Sequence, residues 1–229
     1  MTRSGVSLVV VEDAEAAARA TAERLAAAAA SGAQIALTGG STPRRAYELA
    51  AELEPDWSRA SVWWGDERCV GPDDERSNYR LAREALLDRL ERPPAVHRIR
   101  GELEPEEAAE AYQGELGETA LDLVLLGLGP DGHTASLFPG AAALDERERR
   151  VVATKPGLEP WVDRVTLTIP ALSSGRAVVY LVTGEEKAEA ARRAFGEEPS
   201  SRTPASLVRT RAGPTEAVLD RAAARLLDR

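Results

Sequence analysis

An aspartate and a histidine directly follow the most strand-like run of the chain. The run "LDLVLLGLG" (121–129) is nearly all apolar, and Asp131 and His133 come just after it. A histidine side chain titrates near neutral pH, so it can accept a proton as a general base. Asp131 or a nearby backbone carbonyl could fix the tautomer of such a base. The segment predicts acid–base chemistry at His133, with a purely structural loop histidine as the alternative.

A glycine turn with two hydroxyl residues forms a second candidate group. The segment "TGGSTP" (38–43) contains Gly39, Gly40, Ser41 and Thr42, followed by a proline suited to the first turn of a helix. Glycines let the backbone approach a phosphate, and a helix N-terminus offers amide groups and a favourable dipole. The alternative is a plain turn with a helix cap. The Gly-Lys-Ser/Thr ending of a Walker A loop is missing.

Three charged residues follow a third apolar run, in "WWGDERC" (63–69). Asp66, Glu67 and Arg68 could face a ligand at the end of a strand, or they could form a solvated loop. The two preceding tryptophans could line a site, although core packing is the commoner fate of such side chains.

The charge balance limits the partners of this protein. The net charge of −9 disfavours nucleic acid and membrane surfaces as general partners. An anionic ligand would therefore need a local positive pocket. Only two of the 29 basic residues are lysines, Lys155 and Lys187. Where arginine is the default, a retained lysine could do what a guanidinium cannot, and this leaves either lysine as a candidate.

Several other kinds of protein are disfavoured. The single cysteine, Cys69, excludes an internal disulfide framework, and two distant histidines make a poor metal-ligand set. His97 lies in a strand-like patch and is expected to be structural. The Gly-x-Ser-x-Gly turn of many serine hydrolases is missing. No apolar run reaches the roughly 18 to 20 residues of a membrane span, and the start of the chain is unlike a secretory signal, so a cytoplasmic location is expected.

Short apolar runs alternate with longer alanine-rich and charged runs. This alternation predicts an α/β fold, a three-layer structure with a mainly parallel sheet and helices on both faces. No linker divides residues 1–229, so a single domain is expected. Strands are predicted at 6–11, 33–37, 60–67, 121–129, 164–169 and 177–184, and helices at 14–30, 43–53, 77–90, 105–116, 185–195 and 221–229.

The candidate groups all follow predicted strands. In parallel sheets, ligands bind beyond the carboxyl ends of the strands. Segments 38–45, 65–78, 127–136 and 183–187 should therefore converge on one edge. Together they supply a glycine turn with hydroxyls, a charged cluster, a histidine and a lysine. This combination suits an anionic small molecule rich in hydroxyl groups.

In these segments the sequence closely resembles the 6-phosphogluconolactonases. The resemblance spans about residues 33 to 209, in family order, and the histidine segment is its most specific part. The motifs that carry it are "TGGSTP", "WWGDERCVGPDDERSNY", "LDLVLLGLGPDGHTASLFPG", "RVTLTIPALSSGRAVVYLVTGEEKAEA" and "PASLVR".

The resemblance implies hydrolysis of 6-phospho-D-glucono-1,5-lactone to 6-phosphogluconate, the second step of the oxidative pentose phosphate pathway. It also implies a Rossmann-like fold shared with sugar-phosphate isomerases and deaminases, no metal and no cofactor, and a monomer or small homo-oligomer. His133 would be the general base, with Asp131 orienting it and Asp66 binding sugar hydroxyls or assisting with the proton. The substrate and its phosphate would be bound by Gly39, Gly40, Ser41, Thr42, Arg68, Gly129 and Lys187.

Two alternatives come with this resemblance. Sugar-phosphate deaminase/isomerases of the same fold carry an acidic residue five positions after the histidine, where this chain has Phe138 before Pro139. A non-catalytic sugar-phosphate sensor would need no histidine, and as a transcriptional regulator it would need a basic DNA-binding headpiece. Phe138 at the acidic position disfavours the deaminase/isomerase. The presence of His133, and a length of 229 residues that leaves no room for such a headpiece, disfavour the sensor.

Overall fold

Parallel strands form the central sheet of the protein. A computed structural model describes residues 5–227. Within these residues, seven strands pair in parallel in the order β1-β10-β9-β6-β2-β3-β5. Their bounds are β1 (Ser7–Val11), β2 (Gln34–Leu37), β3 (Ser61–Trp64), β5 (Ala95–Val96), β6 (Leu123–Leu126), β9 (Ala177–Val182) and β10 (Thr215–Asp220).

A smaller antiparallel sheet is attached to this framework. It has the order β4-β8-β7, with β4 (Asp66–Arg68), β7 (Val151–Thr154) and β8 (Arg164–Leu167). The predicted strand at 164–169 is thus real but antiparallel to its neighbours. The chain leaves β3 through Gly65 and enters β4 directly, which carries Asp66 out of the central sheet.

Six α-helices connect the described strands: α1 (Ala14–Ala30), α2 (Pro43–Leu53), α3 (Asn78–Ala85), α4 (Pro105–Leu116), α5 (Ile169–Ser173) and α6 (Ala188–Ala191). The α1 helix begins where the Asp13 carboxylate accepts a hydrogen bond from the Ala16 N–H at 2.9 Å. The mainly parallel α/β fold is therefore confirmed. None of the helices among residues 5–227 is both long and apolar enough to cross a membrane.

Three predicted helices differ from the structure. The helix predicted at 77–90 is α3, which ends at Ala85, followed by a 3₁₀ turn (Leu87–Arg89). The segment predicted at 185–195 is a 3₁₀ turn (Glu185–Lys187), then α6, then a π-helical turn (Arg192–Gly196). The predicted helix at 221–229 is a series of turns as far as residue 226, and positions 228 and 229 lie outside the described residues. Strand β10 was not predicted because its sequence, TEAVLD, has only three apolar residues and ends in charge.

The core lies against the central strands. All four residues of β6 are buried, which explains its continuous apolar sequence. Polar parts of the largest core side chains are paired with the backbone. The Tyr112 hydroxyl, for example, accepts a hydrogen bond from the Trp64 N–H at 2.8 Å and donates one to the Trp64 carbonyl at 3.1 Å. This contact fixes the end of β3, next to the segment that carries Asp66.

Candidate active site

One cavity is lined by the four segments that were predicted to converge at one edge of the sheet. All four segments that follow β2, β3, β6 and β9 contribute to it, as the rule for parallel sheets predicts. The predicted residues that line this cavity are Gly39, Gly40, Ser41, Thr42, Asp66, Arg68, Gly129, His133 and Lys187. Asp131, the remaining predicted residue, is in direct contact with His133.

The Asp131–His133 pair has the geometry of an oriented base. Asp131 Oδ1 lies 2.6 Å from His133 Nδ1 and accepts the His133 backbone N–H at 3.1 Å. Burial raises the pKa of Asp131, but the hydrogen bond and charge of His133 outweigh it and hold that pKa below its usual value. Asp131 is therefore ionised at neutral pH, so Nδ1 is the donor. Nε2 is left as the nitrogen that can accept a proton from another molecule.

Gly129 allows this pair to form. A Cβ atom at position 129 would lie 2.0 Å from His133 Nδ1 and 2.6 Å from Asp131 Oδ1. The Gly129 N–H donates to the His133 carbonyl at 2.9 Å, and this closes the loop. The close approach of backbone to side chains is the physical reason for glycine here.

The glycine turn lies at the start of α2. Gly40 has a φ of 91°, which favours glycine. The Tyr47 hydroxyl of α2 donates to the Thr38 carbonyl at 2.6 Å and accepts the Thr38 N–H at 3.0 Å, so it fixes the turn against the helix. Thr42 occupies the cap position but makes no side-chain cap hydrogen bond. The Thr42 hydroxyl is therefore not engaged in capping α2, and both Ser41 and Thr42 line the cavity.

Three cations surround the cavity. Arg68, Arg164 and Lys187 all line it, and within residues 5–227 none of them forms an ion pair with a carboxylate. Arg68 and Arg164 face each other across β4 and β8. Burial lowers the pKa of Lys187, and the pKa of Arg164 is lowered by burial and by the charge of Arg68. Positive charge that no carboxylate pairs with directly suits a bound anion.

Asp66 is held in place at the cavity wall. Its Oδ2 accepts the Ser136 hydroxyl at 2.7 Å, and its Oδ1 and carbonyl accept the Asn78 amide at 3.2 and 2.9 Å. Asn78 also packs on the glycine turn, since a Cβ at Gly39 would lie 1.8 Å from Asn78 Oδ1. Asn78 therefore joins Asp66 to the 39–42 turn, and Ser136 joins Asp66 to the segment that carries His133.

Glu67 has a structural task. Its buried carboxylate accepts the backbone N–H groups of Arg68, Asn78 and Tyr79, each at 2.7 Å, and the Ser77 hydroxyl at 3.0 Å. Burial raises the pKa of Glu67, while these N–H donors favour its charged form. The side chain thus anchors the start of α3, which carries Asn78, to strand β4.

Replacing Glu67 by alanine is expected to destabilise the fold, because several buried donors lose their partner. The free energy of unfolding should fall by about 3 kcal/mol or more, as measured by urea denaturation. The matched control is Glu75→Ala, an exposed glutamate in the same connection, with a change within about 0.5 kcal/mol. Equal stabilities of the two variants would contradict this structural role.

The second histidine, the second lysine and the two neighbouring tryptophans lie outside the cavity. His97 stacks on Trp63 with ring centroids 3.9 Å apart, and its Nδ1 lies 2.7 Å from Glu115. Lys155 is exposed and pairs with Asp163 at 2.8 Å, so it does not line the cavity. Trp63 and Trp64 are buried in the core, as their commoner fate predicts.

Sequence reasoning missed four residues that shape the site. Asn78 and Arg164 line the cavity, as does Ala135, which has a φ of 48° in the left-handed region. Phe138 lies beside the base, with its ring centroid 4.6 Å from that of His133. An arginine at the head of the apolar run at 164–169 was the one available signal, since such a position is costly without a partner.

No group of three or more histidine, cysteine, aspartate or glutamate side chains in residues 5–227 has a metal-binding arrangement. The described site therefore consists of a histidine–carboxylate pair, an anchored aspartate and a region of positive charge.

Comparison with known proteins agrees with this arrangement. The model of the family described as glucosamine-6-phosphate isomerases/6-phosphogluconolactonase matches residues 11–217. A 6-phosphogluconolactonase of Aggregatibacter actinomycetemcomitans is 36% identical over 206 residues, with 85% of this chain and 88% of that protein covered. A human 6-phosphogluconolactonase is 40% identical over 206 residues, with 84% of this chain and 80% of that protein covered.

A solved structure of a 6-phosphogluconolactonase is also similar to this chain. The 6-phosphogluconolactonase from Trypanosoma cruzi superposes with a TM-score of 0.87 at 28% identity, over 98% of this chain and 97% of that one. The family match covers most of the sequence, including every predicted site residue. This chain therefore belongs to the glucosamine-6-phosphate isomerase/6-phosphogluconolactonase family.

Proposed function

We propose that the protein hydrolyses 6-phospho-D-glucono-1,5-lactone to 6-phosphogluconate, the second step of the oxidative pentose phosphate pathway. The observation that carries this proposal is one cavity that combines the Asp131–His133 pair with three cations lacking carboxylate partners. The base suits the uncharged lactone group of this substrate, and the anion site in the same cavity suits its phosphate.

His133 is the general base of the proposed reaction. Its Nε2 takes a proton from a water molecule as the water oxygen bonds to the lactone carbonyl carbon. The resulting imidazolium is held by the ionised Asp131. When the bond between that carbon and the ring oxygen breaks, the proton passes to the ring oxygen, which becomes a hydroxyl group. Such a base contributes about 10²- to 10⁴-fold to the rate.

Negative charge develops on the carbonyl oxygen during the attack. We assign its stabilisation to backbone N–H groups of the 127–135 loop. Three amides of this loop are already used, because Gly129 and Gly132 donate to backbone carbonyls and His133 donates to Asp131 Oδ1. Ala135 lines the cavity and its N–H makes no hydrogen bond to another described residue, so we take it as the first candidate donor. Asp66 would bind sugar hydroxyls next to it.

The phosphate is placed at the start of α2. Backbone N–H groups of Gly40 to Thr42 and the two hydroxyls of Ser41 and Thr42 would donate to its oxygens. Arg68 and Lys187 would supply positive charge, which a chain with a net charge of −9 must concentrate locally. Phosphate binding far from the reacting carbon would hold the lactone in register for attack.

The deaminase/isomerase alternative is less well supported. At the position where those enzymes carry an acidic residue, the buried Phe138 ring packs against His133. An apolar ring cannot relay protons in a ring-opening reaction. We further propose that residues 1–229 form one domain, that the protein acts in the cytoplasm, and that it is a monomer or small homo-oligomer.

The direct test is hydrolysis of freshly generated lactone. The assay is brief and mildly acidic because the lactone also opens unaided. We expect hydrolysis well above the background rate. A protein that binds 6-phosphogluconate without exceeding the background would instead be a sensor or an inactive relative.

Replacing Asp131 by asparagine tests the orientation of the base. Asparagine cannot stabilise the imidazolium by charge, so kcat should fall, while the affinity for 6-phosphogluconate should stay near that of the wild type. The reason is the contact of 2.6 Å between Asp131 Oδ1 and His133 Nδ1, which an uncharged amide cannot replace. The measurements are the initial rate at saturating lactone and calorimetry with 6-phosphogluconate, and a kcat equal to that of the wild type would contradict this role.

A further inference from the structure

Arg164 holds together the segment that precedes it. We name residues 156–163, between β7 and β8, the 156–163 loop. The Arg164 guanidinium donates to three of its carbonyls, from Nε to Val162 at 3.1 Å and from Nη2 to Pro160 at 3.0 Å and Leu158 at 3.3 Å. The conformation of the loop is thus tied to the position of a single side chain.

The same guanidinium belongs to the cavity. Arg164 lines the cavity although only 4% of the residue is exposed, and no carboxylate among residues 5–227 pairs with it. A buried cation is costly unless opposite charge or dipoles compensate it. In this structure the loop carbonyls supply that compensation. An anion bound in the cavity would add the missing charge and fix the guanidinium in one orientation.

Phe138 forms a second contact between the loop and the site. The Arg164 guanidinium carbon lies 6.0 Å from the centre of the Phe138 ring, and that ring packs on His133. Gly157 of the loop approaches the same ring so closely that a Cβ would lie 2.4 Å from Phe138 Cγ. The loop therefore touches the wall beside the base through both Arg164 and Gly157.

Trp161 lies on the 156–163 loop and is the most exposed large apolar side chain among the described residues. It is 66% exposed, whereas Trp57, Trp63 and Trp64 are 0 to 3% exposed. Burial of an aromatic side chain is favourable, so the exposure of Trp161 reports on how closely the loop packs against its surroundings.

We propose that Arg164 is a positioning residue that couples the 156–163 loop to an anionic sugar phosphate in the cavity. Binding of the ligand fixes the guanidinium, and the guanidinium fixes the loop carbonyls. The loop then packs over the site and Trp161 becomes less exposed. The identity of the ligand rests on the proposed function, but the coupling requires only an anion.

The test uses tryptophan fluorescence with acrylamide, a neutral quencher that does not compete for the anion site. Quenching is measured with and without saturating 6-phosphogluconate, the stable product, and with inorganic phosphate as a second probe. We expect ligand binding to reduce quenching in the wild-type protein. Trp161→Phe should abolish this change, because the other three tryptophans are already buried.

Two Arg164 variants test the coupling itself. Arg164→Gln loses a charged donor, so its affinity for 6-phosphogluconate by calorimetry and its KM should weaken about 10- to 100-fold. At saturating ligand it should show no protection of Trp161. Arg164→Lys keeps the charge without the forked geometry, so it should recover part of the affinity but not the protection.

Several results would overturn the coupling. One is unchanged quenching in a wild-type protein that binds 6-phosphogluconate by calorimetry, and this result needs no variant to fold. Another is full protection of Trp161 in ligand-saturated Arg164→Gln. If phosphate protects Trp161 but 6-phosphogluconate neither binds nor forms from the lactone, the proposed function fails and the coupling stands. If neither probe binds, both fail.

Discussion

Replacing His133 by alanine is expected to lower kcat for lactone hydrolysis by about 10²- to 10⁴-fold. The expectation follows from geometry, since Nδ1 is engaged with Asp131 at 2.6 Å and Nε2 is left to accept the proton of water. Binding of 6-phosphogluconate should change little, because the cations and the 39–42 turn remain. The measurement is the initial rate at saturating lactone, corrected for spontaneous opening.

The other histidine provides a matched control. His97 stacks on Trp63 outside the cavity, so His97→Ala should keep kcat while losing about 0.5 to 1.5 kcal/mol of stability with the stacking contact. A His133→Ala protein with the kcat of the wild type would eliminate His133 as the base. Loss of activity in both variants would indicate damage to the fold instead.

Removing the phosphate from the substrate is expected to have the second large effect. Two charge-assisted contacts of about 1.5 to 3 kcal/mol each correspond to a fall in kcat/KM of about 10²- to 10⁴-fold for gluconolactone. The physical reason is the positive charge of Arg68 and Lys187, neither of which pairs with a carboxylate among the described residues. The two lactones would be compared under identical brief, mildly acidic conditions.

A cycle of substrates and variants identifies which side chain reads the phosphate. Arg68→Met should lower kcat/KM about 10- to 100-fold for the phosphorylated lactone and hardly at all for gluconolactone. The control is Arg44→Met, which removes an exposed arginine paired with Glu84 at 3.2 Å. If Arg68→Met affects both lactones equally, Arg68 does not bind the phosphate.

The local sequence predicted the elements that carry the site. The strand before His133 was recognisable because β6 is buried on both faces, and burial demands a continuous apolar run. The α1 helix was predicted with its observed bounds because Asp13 caps it and alanine continues it. The convergence of four segments followed from the parallel arrangement alone. Strand β10 was not predicted, because it is a strand through its pairing with β1 and β9 and its own sequence has no strand pattern.

The roles of charged side chains depended on the tertiary structure. Asp66, Glu67 and Arg68 are adjacent in sequence, yet Glu67 anchors α3 while its two neighbours face the cavity. Alternation along β4 and the position of α3 decide this, and neither can be read from a run of three charges.

The sequence by itself determined the α/β class, the family and the residues grouped around His133, because these depend on local periodicity and short motifs. Only the tertiary structure added Arg164 to the site, by pairing β8 with β4 so that Arg164 lies opposite Arg68. It also decided that the Phe138 ring packs against His133. The first contact depends on the antiparallel pairing of two distant strands, and the second depends on how the connection from His133 to Phe138 folds. Neither leaves a periodic signal in the chain.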